Sequence, residues 1–222
     1  MRSNIPTSFA YSLVFLLTAC TTRNNVESQA PATQTIRHLS GPCEDCELMF
    51  DGIPKEMNSV DTSDGWSKPG QKLIVKGKVV QLDKTTPASD IIIYYYHTDQ
   101  KGYYSPGENK DAASKKHGRL RGWVKTGTDG TYAIYTSRPA QYPGNQIEAH
   151  IHVIVKEPDI DEPYWIDEWI FDDDPLVYPT LRQRLENKGG SGILKTTLEG
   201  DAQVAMHDVV LGLNIPGYPV KK

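Results

Sequence analysis

Apolar and polar residues alternate from Lys72 to Leu82 (KLIVKGKVVQL), the period-two pattern of a half-buried strand, with Gly77 inside it. The run from Ile91 to His97 (IIIYYYH) is β-branched and aromatic throughout, too short and too stiff for a helix. Thr131 to Thr136 follows the Asp129-Gly130 turn signal, and Ala149 to Val155 (AHIHVIV) alternates again. Tyr164 to Phe171, Gly192 to Thr197 and Ala202 to Leu213 complete the expected strands, with glycine and proline in the gaps. Only Thr180 to Asn187 reads as helical. The pattern predicts an all-β fold, an antiparallel β-sandwich, carrying long functional loops between Gly102 and Gly118 and between Pro139 and Glu148.

The N-terminus changes where such a domain is expected. Arg2 precedes an apolar run densest at Leu13 to Leu17, and Leu17-Thr18-Ala19-Cys20 resembles a bacterial lipobox. Residues 1–19 are expected to be a signal peptide and Cys20 a lipidated residue. An ordinary secretory signal with an incidental cysteine is the rival reading. Thr21 to Ser40 is polar and reads as a tether. Residues 41–222 then form one domain with room for a sizeable core. The net charge of −4 becomes −5 once Arg2 is removed, and there is no basic run, so a nucleic-acid partner is not expected. The only membrane contact expected is the lipid anchor, in the envelope of a bacterial cell, with an outer membrane favoured because Thr21 is not aspartate. Cys43 and Cys46 are expected to be a local disulfide or a pair of free thiols, since an exported chain permits a disulfide.

Candidate chemistry centres on His150-Ile151-His152. On a strand, alternate residues share a face with Cα atoms roughly 6.5 to 7 Å apart, so two imidazoles can converge on one metal while Ile151 faces the core. Tyr142-Pro143 lies eight residues upstream of His150 in a loop bounded by proline and glycine. Asp172-Asp173-Asp174 suits a solvated turn better than a calcium site.

RGWVKTGTDGTYAIYTSRPAQYPG (Arg121 to Gly144) followed by AHIH resembles the intradiol ring-cleavage dioxygenases. That family includes catechol, hydroxyquinol and protocatechuate dioxygenases. YYYHTDQKGYYS (Tyr94 to Ser105) and WIDEWIFDDDP (Trp165 to Pro175) extend the resemblance to roughly Leu73 to Pro175. It implies a β-sandwich and a non-haem Fe(III) site with Tyr104, Tyr142, His150 and His152 as ligands, and with Tyr103 as a rival for Tyr104. Two phenolates and two imidazoles suit a hard ferric ion. The resemblance implies cleavage of a catechol-type substrate by O2 between its hydroxyl-bearing carbons, giving a muconate-type diacid, with Tyr142 able to accept a substrate proton. His97, His117 and His207 match no ligand position.

Two positions depart from the family pattern. Ile147 stands where many members have an arginine, and Glu168 where a glutamine is usual. Arg121, with Arg119 as second choice, is a candidate to supply the missing positive charge. Two further readings stay open. One is a catalytically inactive sandwich lipoprotein that binds metal or a catechol-like ligand. The other is a zinc hydrolase, which leaves both tyrosines unexplained.

Overall fold

The computed structural model describes residues 39–43, 45–108 and 111–219. The expected signal peptide, Cys20 and nearly all of the expected tether lie outside those residues. The described domain starts slightly earlier than expected. Ser40 donates its backbone N–H to the Pro216 carbonyl at 3.0 Å, and Leu39 packs on the core.

Two six-stranded sheets face each other. One runs β1 (Val60–Thr62), β5 (Thr131–Ser137), β2 (Lys72–Val80), β11 (Ala202–Met206), β10 (Thr196–Glu199), with β12 (Val209–Val210) also on β2. The other runs β4 (Arg121–Lys125), β3 (Ile92–His97), β6 (His150–Lys156), β8 (Trp169–Phe171), β9 (Ile193–Leu194), with β7 (Tyr164–Trp165) also on β6. The pairings that carry the core, β2 with β5 and β3 with β4 and β6, are antiparallel. β1–β5, β2–β11, β2–β12 and β8–β9 are parallel. Inward residues alternate as the pattern requires: Leu73, Val75 and Val79 from β2 meet Ile151, Val153 and Val155 from β6.

The run IIIYYYH does not alternate because β3 is buried on both faces. Ile93 and Tyr95 enter the main core, whereas Tyr94 lies in a second cluster with Cys46, Met49 and Ile154. A short 3-10 turn, Cys46–Phe50, lies on that outer face, and Trp123 donates its Nε1–H to the Met49 carbonyl at 2.7 Å. Cys43 and Cys46 are disulfide-bonded, with Cα atoms 5.6 Å apart, and hold the start of this covering segment.

Several elements differ from the expected ones. Tyr164 to Phe171 breaks at Ile166-Asp167-Glu168, where Asp167 accepts from the Asn187 N–H at 2.7 Å. Ala202 to Leu213 breaks at His207-Asp208, between two stretches that both pair in parallel with β2. The Thr180–Asn187 helix shrinks to α2 (Pro179–Arg182), because Arg182 bonds back to the Val177 carbonyl and Asn187 adopts a positive φ of 55°. β1, β4 and the single turn α1 (Ala112–Lys116) carry no strong pattern and were not expected. The acidic turn is not simply solvated: Asp172 pairs with Arg182, Asp173 with Arg138, and Asp174 is buried.

Gly77 allows the close approach of the chain at His207. The His207 carbonyl lies where a Gly77 Cβ would be, and Asp208 accepts from the Lys78 N–H at 2.8 Å. Gly77→Ala should therefore cost about 1–3 kcal/mol of stability through overpacking, measured by urea denaturation.

Candidate active site

β6 presents His150 and His152 on the outer face while Ile151 enters the core. The neighbouring strands fix their height: Tyr96 pairs with His152 across β3, and Ile170 with His150 across β8. Each imidazole is held from behind. His150 Nδ1 lies 2.8 Å from the Glu148 carbonyl, and His152 Nδ1 lies 2.8 Å from Glu168 Oε1. Both rear partners accept, so both Nδ1 atoms carry the proton and both Nε2 atoms present a lone pair forward.

Two loops bring the tyrosines to those lone pairs. Asp99 shapes the first: its carboxylate accepts from the Lys101 and Tyr103 N–H groups and from the Ser105 hydroxyl. Gly102, at φ 80°, turns the chain so closely against the Gln141 carbonyl that a Cβ would overlap it. Thr98 donates its hydroxyl to the Ala140 carbonyl at 2.6 Å, stitching this loop to the one that carries Tyr142. Tyr103 points out and is 56 % exposed, whereas Tyr104 points in.

Four donor atoms converge. Tyr104 Oη lies 2.8 Å from His152 Nε2, Tyr142 Oη 3.0 Å from His150 Nε2, and the two phenol oxygens are 2.6 Å apart. The two hydroxyl protons can satisfy the two nitrogens, which leaves the oxygen–oxygen contact without one. A cluster that is one proton short, with every lone pair aimed at a common point, suits a cation. Burial pushes both phenols above the ordinary tyrosine pKa, so only a cation would bring them to phenolate here. Burial likewise pushes His150 down, which keeps its imidazole neutral for ligation. For Glu168, burial works upward, but the hydrogen bond and charge of His152 outweigh it and hold the carboxyl below its ordinary range. His150, His152 and Glu168 offer donor atoms within 4.8 Å of one another. Because Glu168 engages Nδ1, its place is behind His152 rather than beside it.

The cluster opens into a cavity of about 560 Å³, walled by Tyr96, His117, Trp165 and Ile166 and by Pro42, Cys43 and Asp45 of the disulfide segment. The sequence profile of the dioxygenase family matches residues 48–188. The chain belongs to the intradiol dioxygenase family. It is thus an oxidoreductase on a β-sandwich. The fold is also similar to the dioxygenase domain of a dioxygenase carbohydrate-binding protein fusion from Streptomyces sp. SirexAA-E, at 22 % identity and a TM-score of 0.52, covering 72 % of this chain and 91 % of that one. It is similar to chlorocatechol 1,2-dioxygenase from Pseudomonas putida, at 20 % identity and a TM-score of 0.53, covering 78 % and 72 %. A 3-chlorocatechol 1,2-dioxygenase from Rhodococcus opacus 1CP matches at 18 % identity and a TM-score of 0.52, covering 77 % and 70 %. A search of curated sequences finds no match.

The structure brings Tyr104, Tyr142, His150 and His152 together and leaves Arg121 and Arg119 outside the cavity. Arg121 Nη2 is 3.1 Å from Asp111, and its guanidinium lies over Trp123. Both arginines line a separate cleft with Asp61 and Glu108. Ile147 is exposed and does not line the cavity, so this position brings no positive charge to the wall. Among the described residues the cation in the cavity wall is Lys116, which sequence reasoning missed, and it is bonded to Asp45. His97 and His207 are buried away from the donor cluster, and burial pushes each down to about 4.

Asp174 was also missed as a site element. It accepts from the Ala149 N–H at 2.9 Å, the Leu176 N–H at 2.9 Å and Gln141 Nε2 at 3.1 Å, tying the Tyr142 loop to the start of β6. Asp174→Asn should cost about 1–3 kcal/mol by thermal or urea unfolding, because a buried charge-assisted set is disrupted. Asp172→Asn and Asp173→Asn, at exposed ion pairs, should each cost under about 1 kcal/mol.

Proposed function

We propose that this chain is an Fe(III)-dependent intradiol dioxygenase. It opens a catechol-type ring between its hydroxyl-bearing carbons with O2 and releases a muconate-type diacid. The observation that carries this reading is the convergence of two phenol oxygens and two Nε2 lone pairs on one point. Tyr104, Tyr142, His150 and His152 would hold the ion, and two phenolates would favour its ferric state. Iron would supply a Lewis acid for the catechol oxygens and the electronic route by which the ring meets O2.

The protein's own groups divide the remaining work. His150 and His152 stay fixed, because each is clamped at Nδ1. Tyr142 would take a proton from the incoming catechol, as the family resemblance implies, and its place on a loop allows its Oη to move. Tyr96 and Trp165 supply aromatic wall to the cavity, and its volume suits a single-ring substrate. The same shape would serve a catalytically silent catechol binder. That reading gains from the pairing of Lys116, the cation that lines the cavity among the described residues, with Asp45.

Iron-loaded protein should be burgundy from tyrosinate-to-iron charge transfer and should consume O2 with catechol, read by an oxygen electrode and mass spectrometry of the diacid. Tyr142→Phe should shift the absorption band and lower kcat at least tenfold. A colourless iron-replete protein would sink the two-tyrosine site, and colour without oxygen uptake would favour the silent binder.

We also propose that residues 1–19 are a signal peptide and that Cys20 is lipidated, which would place the domain in the cell envelope on a tether. The lipobox-like Leu17-Thr18-Ala19-Cys20 supports this reading. Cys20→Ser should move the protein from the membrane to the soluble fraction and abolish labelling by an alkyne-tagged fatty acid. Unchanged membrane association would refute the anchor.

A further inference from the structure

His117 matches no ligand position, yet it lines the cavity and is only 3 % exposed. Its ring lies flat against Tyr96, with centroids 3.7 Å apart and planes 10° from parallel. Tyr96 in turn stacks on His152 at 4.4 Å and 15°. His117, Tyr96 and His152 thus form one column of rings from the cavity wall to the donor cluster. The position is tightly held: His117 ends α1, its backbone N–H donates to the Ala113 carbonyl at 2.7 Å, and Gly118 turns at φ 72° against the Tyr104 backbone.

The protons of His117 can be assigned from its neighbours. Nδ1 lies 2.8 Å from Tyr94 Oη. Tyr94 is fully buried, and among the described residues His117 Nδ1 is the acceptor its hydroxyl meets, so Tyr94 gives its proton to Nδ1 rather than leave a buried donor unpaired. The second nitrogen, Nε2, then carries a hydrogen. Among the described residues no group accepts it, and it is not among the atoms sealed from solvent. In a buried ring that lines the cavity, that N–H faces the cavity.

We propose that His117 is a substrate-contacting, specificity-determining residue whose Nε2–H donates a hydrogen bond to an oxygen substituent on the catechol ring. Tyr94 acts through it as a positioning residue that holds the Nε2–H tautomer. The proposal rests on the reading of the cavity as a catechol site. Burial pushes His117 down to about 4, so the ring stays neutral and recognises an acceptor rather than attracting any anion. A buried donor discriminates strongly, because a ligand without the acceptor leaves it unpaired.

The test compares two ligands of nearly equal size, 4-methylcatechol and 1,2,4-trihydroxybenzene, on the iron-loaded full chain. His117→Leu should lower kcat/KM for the trihydroxy compound at least tenfold more than for the methyl compound. His117→Gln, which keeps a donor near Nε2, should restore most of the preference. Tyr94→Phe keeps every ring in the column and should move the ratio the same way, and it serves if the leucine variant does not fold. Anaerobic calorimetry of both ligands should show the same shift in Kd without turnover. An unchanged ratio in a folded variant, or equal loss on both ligands, overturns the proposal while leaving the dioxygenase reading intact. Failure of the iron-loaded wild type to bind either catechol overturns both.

Discussion

Two hydrogen bonds behind the imidazoles of β6 govern the rest of the site. The Glu148 carbonyl and the Glu168 carboxylate each demand a proton from Nδ1. Once those protons are committed, both Nε2 atoms must face forward as lone pairs, and the tyrosine hydroxyls that meet them are left one proton short. No rearrangement of hydrogens among the four groups removes that deficit. The site is therefore shaped for a cation by its supporting bonds as much as by its donors.

The sandwich keeps this arrangement rigid by burying both faces of the sheet that carries it. Ile151, Val153 and Val155 lock β6 into the main core, while Ile154 packs outward beneath Met49 and the disulfide-held segment. The covering segment also supplies Pro42, Cys43 and Asp45 to the cavity wall. The same packing that removes water from the outer face thus sets the outline of the substrate space. Against this floor the two tyrosines sit on loops stitched to each other through Thr98 and Ala140. They are placed closely without being part of a strand, the condition for one of them to move during a reaction.

Charge in the cavity is arranged indirectly. Ile147 is exposed, Arg119 and Arg121 are turned to another cleft, and Lys116 is bonded to Asp45. The wall combines that ion pair and Glu168 with the neutral rings of Tyr96 and His117. A cavity of this kind discriminates by matching single hydrogen bonds, which requires a stiff wall more than a strong field. The column His117, Tyr96, His152 supplies that stiffness.

The sequence by itself determined the sandwich and the histidine pair. Period two is a local property of the backbone, so Lys72 to Leu82 and Ala149 to Val155 announced their strands and put His150 and His152 on one face. The family resemblance named Tyr104 and Tyr142, with Tyr103 left as a rival of Tyr104. Which of that pair turns inward was decided only by tertiary structure, through the Asp99 turn and the close approach of Gly102 to Gln141. The same holds for Asp174, Lys116 and His117. Asp174 looked like part of a solvated turn, Arg121 looked like a cavity cation, and His117 had no motif at all. Their roles depend on partners far along the chain, such as Ala149 for Asp174 and Tyr94 for His117, and distance in sequence leaves no periodic trace of such contacts.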